Sequence, residues 1–286
     1  MNKKKKKKDH TPFALKAIHW GFPVLEKIAP TVAHWYAINL FFTPFRYKVP
    51  EKEKDFLVTA EKFTVTVNGK NVQAYSWGKG PVVIFVHGWA GRAAQFRKFI
   101  PKLVENNYRA IAFDGPAHGN SEGRKTNIPE FETAFHKIIE QVGQPDAVIA
   151  HSFGGVASIY SIGNGLPITK LINIASPTIG EDLIKGFLKV INASPATGEA
   201  FKAYVLKTFH KSFDELSAIN MIKFLPHELK LLLVHDEHDN EVSINHPLSL
   251  QKVYPAAHLL KTSSLGHNRI LKDDSVIQKC IEFIQS

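Results

Sequence analysis

Ser152 is the residue of this chain whose type and surroundings most directly favour chemistry. It follows the apolar run Ala147–Ala150 and precedes Gly154 and Gly155, a pattern that predicts a buried strand, a sharp turn and the start of a helix. A serine hydroxyl is a poor nucleophile in water, so its position matters more than its identity. On such a turn the Oγ projects from the sheet edge, next to the positive N-terminal end of the helix. The same turn occurs in ordinary α/β connections, so chemistry at Ser152 requires partner residues.

The elements that would position Ser152 alternate regularly between strands and helices. A continuous apolar run predicts a strand buried on both faces, and Asn68-Gly69 between two alternating runs predicts a hairpin. The predicted strands are Phe63–Val67, Val72–Trp77, Val82–Val86, Arg109–Phe113, Ala147–Ala150, Lys170–Ala175, Leu231–Val234 and His258–Leu260. The predicted helices are Ala93–Asn106, Pro129–Val142, Phe153–Ile162, Pro247–Val253 and a closing helix over Ser275–Ile284. This alternation predicts an α/β fold with a mostly parallel, twisted sheet and helices on both faces.

The alternation of strands and helices pauses over about residues 176–226. This stretch predicts several helices, among them Leu183–Ile191 and Glu199–Phe209. Ligands of parallel sheets bind beyond the carboxyl ends of the strands, so we expect this insertion to form a small helical cap. The predicted organisation is therefore a basic tail with amphipathic helices over residues 1–54, followed by an α/β domain over residues 55–286 that carries the cap.

Four further polar segments follow predicted strands at their carboxyl ends. The segments are His87-Gly88-Trp89, Asp114–Ser121, His235–Val242 and Gly266-His267-Asn268. Carboxyl ends of parallel strands share one edge of the sheet, so we expect these segments to lie near the serine turn. A serine followed along the chain by an acid and then a histidine is the order that accompanies a serine turn of this type.

With these segments in this order, the chain from about Phe63 to its C-terminus resembles the α/β-hydrolase superfamily. The resemblance is to the esterase- and lipase-like branch with a His-Gly-x oxyanion loop, and it implies the α/β-hydrolase fold. It also implies that Ser152 is the nucleophile and that His267 is the general base. Asp239 matches the acid that orients the imidazole of His267 and stabilises its cationic form.

The same resemblance implies that the backbone N–H groups of Trp89 and Phe153 form the oxyanion hole. The aromatic side chains of these two residues are expected to bind the apolar part of a substrate. The sequence departs from the family pattern at Ala150, where the usual motif has glycine, and in an acid segment that lacks a frequent glycine. Neither departure removes a catalytic group, and we expect Ala150 to add only a little crowding to the turn.

Two carboxylates compete for the acid's role. Asp239 stands three residues before Val242, which is the spacing of the family's Asp-x-x-Val pattern and favours Asp239 over Asp236. Asp236 would then cap the turn. We interpret His235 and His238 as incidental polar residues of this loop.

Three other histidines near the predicted site have structural interpretations. His87 is expected to buttress the oxyanion loop rather than to transfer protons. His118 belongs to the segment after Asp114, whose glycines and proline predict a structural turn that lines the site. His151 is expected to point away from the pocket if Ser152 points into it.

These roles predict a serine hydrolase that cleaves a carboxylic ester, or a related acyl bond, of a small and partly apolar substrate through an acyl-enzyme. A C–C hydrolase, thioesterase, acyltransferase, cofactor-free haloperoxidase or lipid hydrolase on the same triad stays open. So does a non-catalytic member of the fold that binds a small apolar ligand. No cofactor is expected, because no glycine-rich phosphate loop or dinucleotide fingerprint occurs. No metal is expected either, since the mixed His and Asp residues of positions 235–239 are a weak signal without a helical His-Glu-x-x-His.

The formal net charge of +10 is concentrated near the N-terminus. Residues 1–54 carry twelve Lys or Arg, including the run Lys3–Lys8, against four Asp or Glu, a net charge of +8. The rest of the chain is nearly neutral, which gives no reason to propose nucleic-acid binding. The single cysteine, Cys280, fits a reducing compartment and a packed, inert thiol. These observations predict a cytoplasmic protein.

The apolar region after the lysine run is interrupted by two prolines, an acid and a lysine. It therefore resembles neither a signal peptide nor a membrane span, and it predicts two short amphipathic helices over about residues 12–28 and 30–42. Two interpretations stay open. The helices pack on the globular body with the lysine run as a disordered tail, or residues 1–42 bind peripherally to the inner face of an anionic membrane.

Overall fold

A computed structural model describes residues 13–286 of the chain, and the lysine run Lys3–Lys8 lies outside the described residues. The strands are β1 (Glu61–Val67), β2 (Lys70–Trp77), β3 (Val82–Val86), β4 (Arg109–Phe113), β5 (Ala147–His151), β6 (Lys170–Ile174), β7 (Lys230–Asp236) and β8 (His258–Thr262). The α-helices are α1 (Phe13–Ile28), α2 (Pro30–Phe41), α3 (Glu51–Val58), α4 (Phe99–Glu105), α5 (Ile128–Val142), α6 (Phe153–Gly163), α7 (Gly180–Ile191), α8 (Pro195–Phe209), α9 (Ala218–Met221), α10 (Asn245–Val253), α11 (Gly266–Arg269) and α12 (Asp274–Gln285). Short 3-10 turns cover Ala93–Phe96, Ile222–Phe224 and Ile270–Lys272.

The strands form an eight-stranded sheet in the order β1-β2-β4-β3-β5-β6-β7-β8. β2 runs antiparallel to β1 and to β4. The other neighbouring pairs are parallel. Every residue of β3 and β5 is buried, as their uninterrupted apolar runs predict for central strands of a parallel sheet. The predicted fold class is confirmed.

The predicted elements are present with small shifts at their ends, with one exception. The sequence predicts a single helix over Ala93–Asn106, whereas the structure has a 3-10 turn over Ala93–Phe96 and a separate helix α4 that begins at Phe99. Pro101 is the third residue of α4, where its missing N–H is tolerated. Further inside a helix its ring would clash with the carbonyl of Arg97. Because Pro101 must lie in the first turn of the helix, α4 cannot extend further toward the N-terminus to include Ala93–Phe96. The short helix α3 is an element that the sequence analysis does not identify.

The described chain forms two compact units. One contains the described residues up to Phe41 together with Glu181–Phe213, and the other contains Phe42–Gly180 and Asp214–Ser286. We call the first the helical unit and the second the sheet unit. The helical unit thus combines the N-terminal helices α1 and α2 with α7 and α8, two segments that the sequence analysis treats separately.

The helical unit has a small apolar interior of its own. Phe22, Ala33, Ala37 and Ile191 are buried there. Ala33 and Ala37 are one helical turn apart on α2, so they lie on the same face of that helix, the face packed in the helical unit. Among the described residues, no helix is both long and apolar enough to cross a membrane.

Candidate active site

Ser152 occupies a strained turn between β5 and α6. Its φ of 52° and ψ of −122° lie in a region that is costly for a residue with a Cβ. Contacts with β6 and the segment after it hold the main chain of the turn. The Ser152 N–H donates to the carbonyl oxygen of Ile174 at 2.9 Å, and the Ser152 carbonyl accepts the hydroxyl of Ser176 at 2.9 Å. The turn is therefore held from outside in the sharp conformation that the sequence pattern predicts.

Two glycines allow α6 to begin directly against the sheet. A Cβ on Gly154 would lie 2.2 Å from the carbonyl oxygen of Val86, and a Cβ on Gly155 would lie 1.9 Å from the side-chain oxygen of Asn173. Both distances are far below van der Waals contact, so only glycine fits. On the other side of the turn, Ala150 is buried in β5 and pairs with Val86 and Asn173. The extra methyl group of Ala150 is thus accommodated within the sheet.

Asp239 and His267 are hydrogen-bonded although they are 28 residues apart in the chain. His267 Nδ1 donates to Asp239 Oδ2 at 2.7 Å, and Asp239 Oδ1 accepts the N–H groups of Glu241 and Val242 at 2.8 and 3.0 Å. Burial by itself would raise the pKa of Asp239. The bonds from His267 and Val242 outweigh that effect, and the pKa lies below its ordinary value. The ionised carboxylate thus accepts the Nδ1–H of His267 and holds the imidazole in one orientation.

Asp236 has a different set of partners. Its Oδ2 accepts the N–H of Leu265 at 2.8 Å and the hydroxyl of Thr262 at 2.9 Å. Burial favours a higher pKa for Asp236, but these hydrogen bonds stabilise the carboxylate and the pKa is lowered. Asp236 therefore connects the end of β7 to the segment that leads into α11. Of the two carboxylates, Asp239 is the one hydrogen-bonded to His267.

His151 contacts His267 from the end of β5. The centroids of the two rings are 4.8 Å apart, and His151 Nε2 donates to the carbonyl oxygen of His267 at 2.9 Å. His151 Nδ1 accepts the side-chain amide of Gln95 at 2.8 Å. Burial lowers the pKa of His151 to about 3, so the ring is neutral. Because His151 precedes Ser152, this contact places the serine turn and His267 at the same edge of the sheet.

The loop after β3 lies against Ser152. A Cβ on Gly88 would be 3.0 Å from the Cβ of Ser152. Trp89 follows Gly88 in this loop, and its ring packs edge-to-face on Phe153 with centroids 5.1 Å apart. Phe153 packs in the same way on Phe131, with centroids 5.0 Å apart. Phe153 is the first residue of α6, where an N–H has no intrahelical acceptor. The two predicted oxyanion donors thus belong to segments that contact each other beside Ser152.

Buried polar side chains brace this loop. Gly115 N–H donates to His87 Nε2 at 2.8 Å, and Ala90 N–H donates to His118 Nε2 at 3.0 Å. A ring nitrogen that accepts a hydrogen bond carries no proton. Burial lowers the pKa of His87 to about 4 and that of His118 to about 3. Both rings are therefore neutral, and each joins the loop after β3 to the loop after β4.

Comparison with known proteins bears on the fold. A family model described as "alpha/beta hydrolase fold" matches residues 81–188. An esterase from Pyrococcus furiosus has a similar structure, with a TM-score of 0.63, 19% identity, and coverage of 85% of this chain and 97% of that one. This chain has the α/β-hydrolase fold. The matched residues run from the start of β3 into α7 and include Ser152.

Two curated relatives match over a shorter part of this chain. The human serine hydrolase-like protein is 32% identical over 93 residues, which are 30% of this chain and 45% of that protein. The non-heme haloperoxidase of Rhodococcus erythropolis is 28% identical over 96 residues, which are 32% of this chain and 35% of that protein. The chain thus spans less than half the length of either relative.

Within the α/β-hydrolase fold, two residues at the site have roles that the sequence analysis misses. The interpretation of His235 as an incidental loop residue is wrong, because it is buried and its Nε2 donates to the carbonyl oxygen of Val242 at 2.9 Å. The same Nε2 lies 3.8 Å from Asp239 Oδ2, so His235 helps to shape the loop that holds the acid. The position of His235 near the end of a predicted strand is a sequence signal for a place at the site. No sequence pattern indicates the hydrogen bond of Gln95 to His151, because Gln95 lies in a segment predicted as an ordinary helix.

In the part of the chain that the structure describes, no group of three or more His, Cys, Asp or Glu side chains is arranged to hold a metal ion. Cys280, the one cysteine, is buried in α12, and burial raises the pKa of its thiol.

Proposed function

We propose that this protein is a serine hydrolase that cleaves a carboxylic ester, with a partly apolar acyl or alcohol group, through an acyl-enzyme on Ser152. The observation that carries the proposal is the 2.7 Å hydrogen bond between His267 Nδ1 and the ionised Asp239, at the sheet edge that also carries the serine turn. An acid–imidazole pair of this kind is the feature that converts a serine hydroxyl into a nucleophile.

The reaction would proceed in two half-reactions on these side chains. His267 Nε2 takes the proton of Ser152 Oγ as that oxygen bonds to the ester carbonyl carbon. The resulting tetrahedral oxyanion accepts hydrogen bonds from the backbone N–H groups of Trp89 and Phe153. Each such donor typically contributes about 2.7–4 kcal/mol to stabilisation of the transition state. The C–O bond of the ester then breaks, and His267 returns its proton to the departing alcohol. In the second half-reaction water attacks the acyl-serine with the help of His267, which releases the carboxylic acid product and restores the hydroxyl of Ser152.

The surroundings of the site support an apolar group on the substrate. Trp89, Phe153 and Phe131 form a chain of edge-to-face aromatic contacts that begins at the loop beside Ser152. The name of the human relative, serine hydrolase-like protein, agrees with a serine nucleophile. The haloperoxidase name of the bacterial relative keeps a peroxidase reaction on the same serine as the second candidate.

The deciding experiment compares wild type with Ser152→Ala on p-nitrophenyl esters of increasing acyl length and with a fluorophosphonate probe. We expect Ser152→Ala to lose at least about 10³-fold in kcat/KM and to lose labelling. Ser161→Ala is the matched control, because its hydroxyl lies on the same helix and bonds only to the helical carbonyl of Ala157. Ser161→Ala should retain wild-type ester turnover and labelling by the fluorophosphonate probe.

Three outcomes would separate the alternatives. Undiminished turnover in Ser152→Ala would refute the nucleophile. Serine-dependent bromination of monochlorodimedone by bromide and hydrogen peroxide, without ester turnover, would favour the haloperoxidase. Binding of an apolar ester without turnover or labelling of the wild type would favour a non-catalytic binding protein.

A further inference from the structure

Helix α1 carries an apolar stripe on its exposed side. Trp20, Val24 and Ile28 are 78%, 58% and 76% exposed and stand four residues apart, so they follow one another along one face of the helix. A single exposed apolar side chain is ordinary on a protein surface. Three in register over two helical turns, about 12 Å of helix, form a continuous apolar surface. Such a surface is expected to be covered by a partner.

Helix α2 repeats this arrangement immediately after α1. Only Ala29 separates the two helices. Val32, Trp35 and Tyr36 are exposed and are spaced by three and four residues, so they also share one face. We call α1 and α2 together the N-terminal hairpin. Each helix of the hairpin therefore has one face packed in the helical unit and another that presents aromatic and branched aliphatic side chains to solvent.

The charges of the N-terminal hairpin have one sign at the surface. Its acidic residue, Glu26, is turned inward and accepts hydrogen bonds from Ser194 and Thr197. Its two lysines, Lys16 and Lys27, are exposed. Tryptophan and branched aliphatic residues flanked by lysine are the composition of helices that lie in the interface of a bilayer, with lysine near the lipid phosphates.

The sequence adds positive charge next to this surface. Lys3–Lys8 lie a few residues before α1 in the chain, outside the described residues. Each lysine near an anionic bilayer strengthens attraction by about 1 kcal/mol, which is roughly fivefold in the partition coefficient. Six of them would bring the hairpin to an anionic surface even if the apolar stripes contributed little.

From the apolar stripes and this charge pattern, we propose that the N-terminal hairpin binds the surface of an anionic lipid bilayer. The helices lie in the interfacial layer, with Trp20 and Trp35 at the level of the headgroups. This orientation agrees with the finding that no described helix is long and apolar enough to span a membrane. A nucleic acid would use the lysines but would leave the aliphatic stripes exposed. An acidic protein surface would likewise leave Val24 and Ile28 uncovered. The proposal does not depend on the chemistry of Ser152.

The test is co-sedimentation of the full-length protein with large unilamellar vesicles. Vesicles of phosphatidylcholine with about one-third phosphatidylglycerol are compared with pure phosphatidylcholine, at about 50 and 500 mM salt, because screening removes surface electrostatics at high salt. We expect binding to the anionic vesicles at low salt, at least tenfold weaker binding at high salt, and little binding to phosphatidylcholine. Acrylamide quenching of tryptophan fluorescence should fall when anionic vesicles are added, since Trp20 and Trp35 leave the water.

Two variants separate the contributions of charge and apolar contact. Replacing Lys3–Lys8 by glutamine should lower the partition coefficient at low salt by about a hundredfold or more. The double variant Trp20→Ser/Trp35→Ser should lower it by about tenfold or more. The control is Val58→Ser/Phe224→Ser, which removes exposed apolar side chains, 76% and 68% exposed, from the sheet unit. The control should bind like the wild type, and far-UV circular dichroism checks that each variant is folded.

Absence of binding to anionic vesicles at low salt would overturn the proposal. So would unchanged binding of the Trp20→Ser/Trp35→Ser variant, because attraction would then rest on charge alone. A third result against it is a wild-type dimer in light scattering that dissociates on Trp20→Ser/Trp35→Ser without any vesicle binding. In that case a second copy of the chain covers the stripes. Esterase activity is measured separately, so failure of the proposed catalytic function leaves the vesicle result interpretable.

Discussion

Three buried neutral histidines make the fold sensitive to acid. Burial lowers the pKa of His87 from its ordinary value of 6.5 to about 4, and it lowers the pKa values of His118 and His151 from 6.5 to about 3. The unfolded chain therefore binds more protons than the folded one below that ordinary value. A group whose folded pKa is depressed destabilises the native state as pH falls, so stability decreases from pH 6.5 downward.

The size of this effect follows from linkage. At about pH 5 an unfolded histidine is almost fully protonated while its folded counterpart is almost fully neutral, a difference of roughly 2 kcal/mol for each ring. Three rings together give roughly 6 kcal/mol, against a typical total stability of about 5–15 kcal/mol. We therefore expect the protein to be marginally stable or unfolded near pH 5, although it is stable at neutral pH.

The assay is urea unfolding followed by tryptophan fluorescence at several pH values between about 7.5 and 5. We expect the free energy of unfolding to fall by up to roughly 3–4 kcal/mol per pH unit in the steepest part. The variant His118→Gln removes one of the three titrations and should reduce that slope by about one-third. The matched control His227→Gln replaces an exposed histidine and should keep the wild-type slope. A free energy of unfolding that is flat between pH 6.5 and 5 would refute the reasoning, as would an unchanged slope in His118→Gln.

Two further predictions concern the acid and the serine turn. Asp239→Asn should keep the fold but lower kcat by about 10³–10⁴, measured on the best p-nitrophenyl ester, because an amide no longer favours the required tautomer of His267. Retention of more than a tenth of wild-type kcat would contradict that role. Gly154→Ala should destabilise the protein by about 3 kcal/mol or more, since its Cβ would lie 2.2 Å from the carbonyl oxygen of Val86. Gly186→Ala, with no atom within 4 Å of the added Cβ, should instead stabilise it by about 0.4–1 kcal/mol; equal melting temperatures for the two alanine variants would count against the packing argument.

Patterns confined to a few neighbouring residues were enough to predict most of the fold. Uninterrupted apolar runs such as Val82–Val86 correspond to strands buried on both faces, because a strand between two others has no solvent-facing side. Asn68 and Gly69 both have positive φ, the conformation that a two-residue hairpin requires. The single helix predicted over Ala93–Asn106 is wrong for an equally local reason, because Pro101 is tolerated only in the first turn of a helix.

The order of the site's segments was also available from the sequence. The glycines after Ser152 predicted a sharp turn, and the spacing to Val242 favoured Asp239 over Asp236. The hydrogen bond between Asp239 and His267 has the geometry that this preference anticipates. The catalytic roles of Ser152, Asp239 and His267, and the oxyanion roles of Trp89 and Phe153, stay predictions that the proposed experiments test.

Contacts between distant parts of the chain were decided only by the tertiary structure. His151 donates to His267 across 116 residues of sequence, Gln95 reaches His151 across 56, and neither contact has a sequence pattern. The sequence alone thus determined the strands, the serine turn and the chain order of the candidate triad, because short-range sterics and alternation of apolar residues act within a few positions. Packing decided which histidines brace the site, and which helices share a unit, because burial and hydrogen-bond partners exist only once the parallel strands have brought their carboxyl ends together.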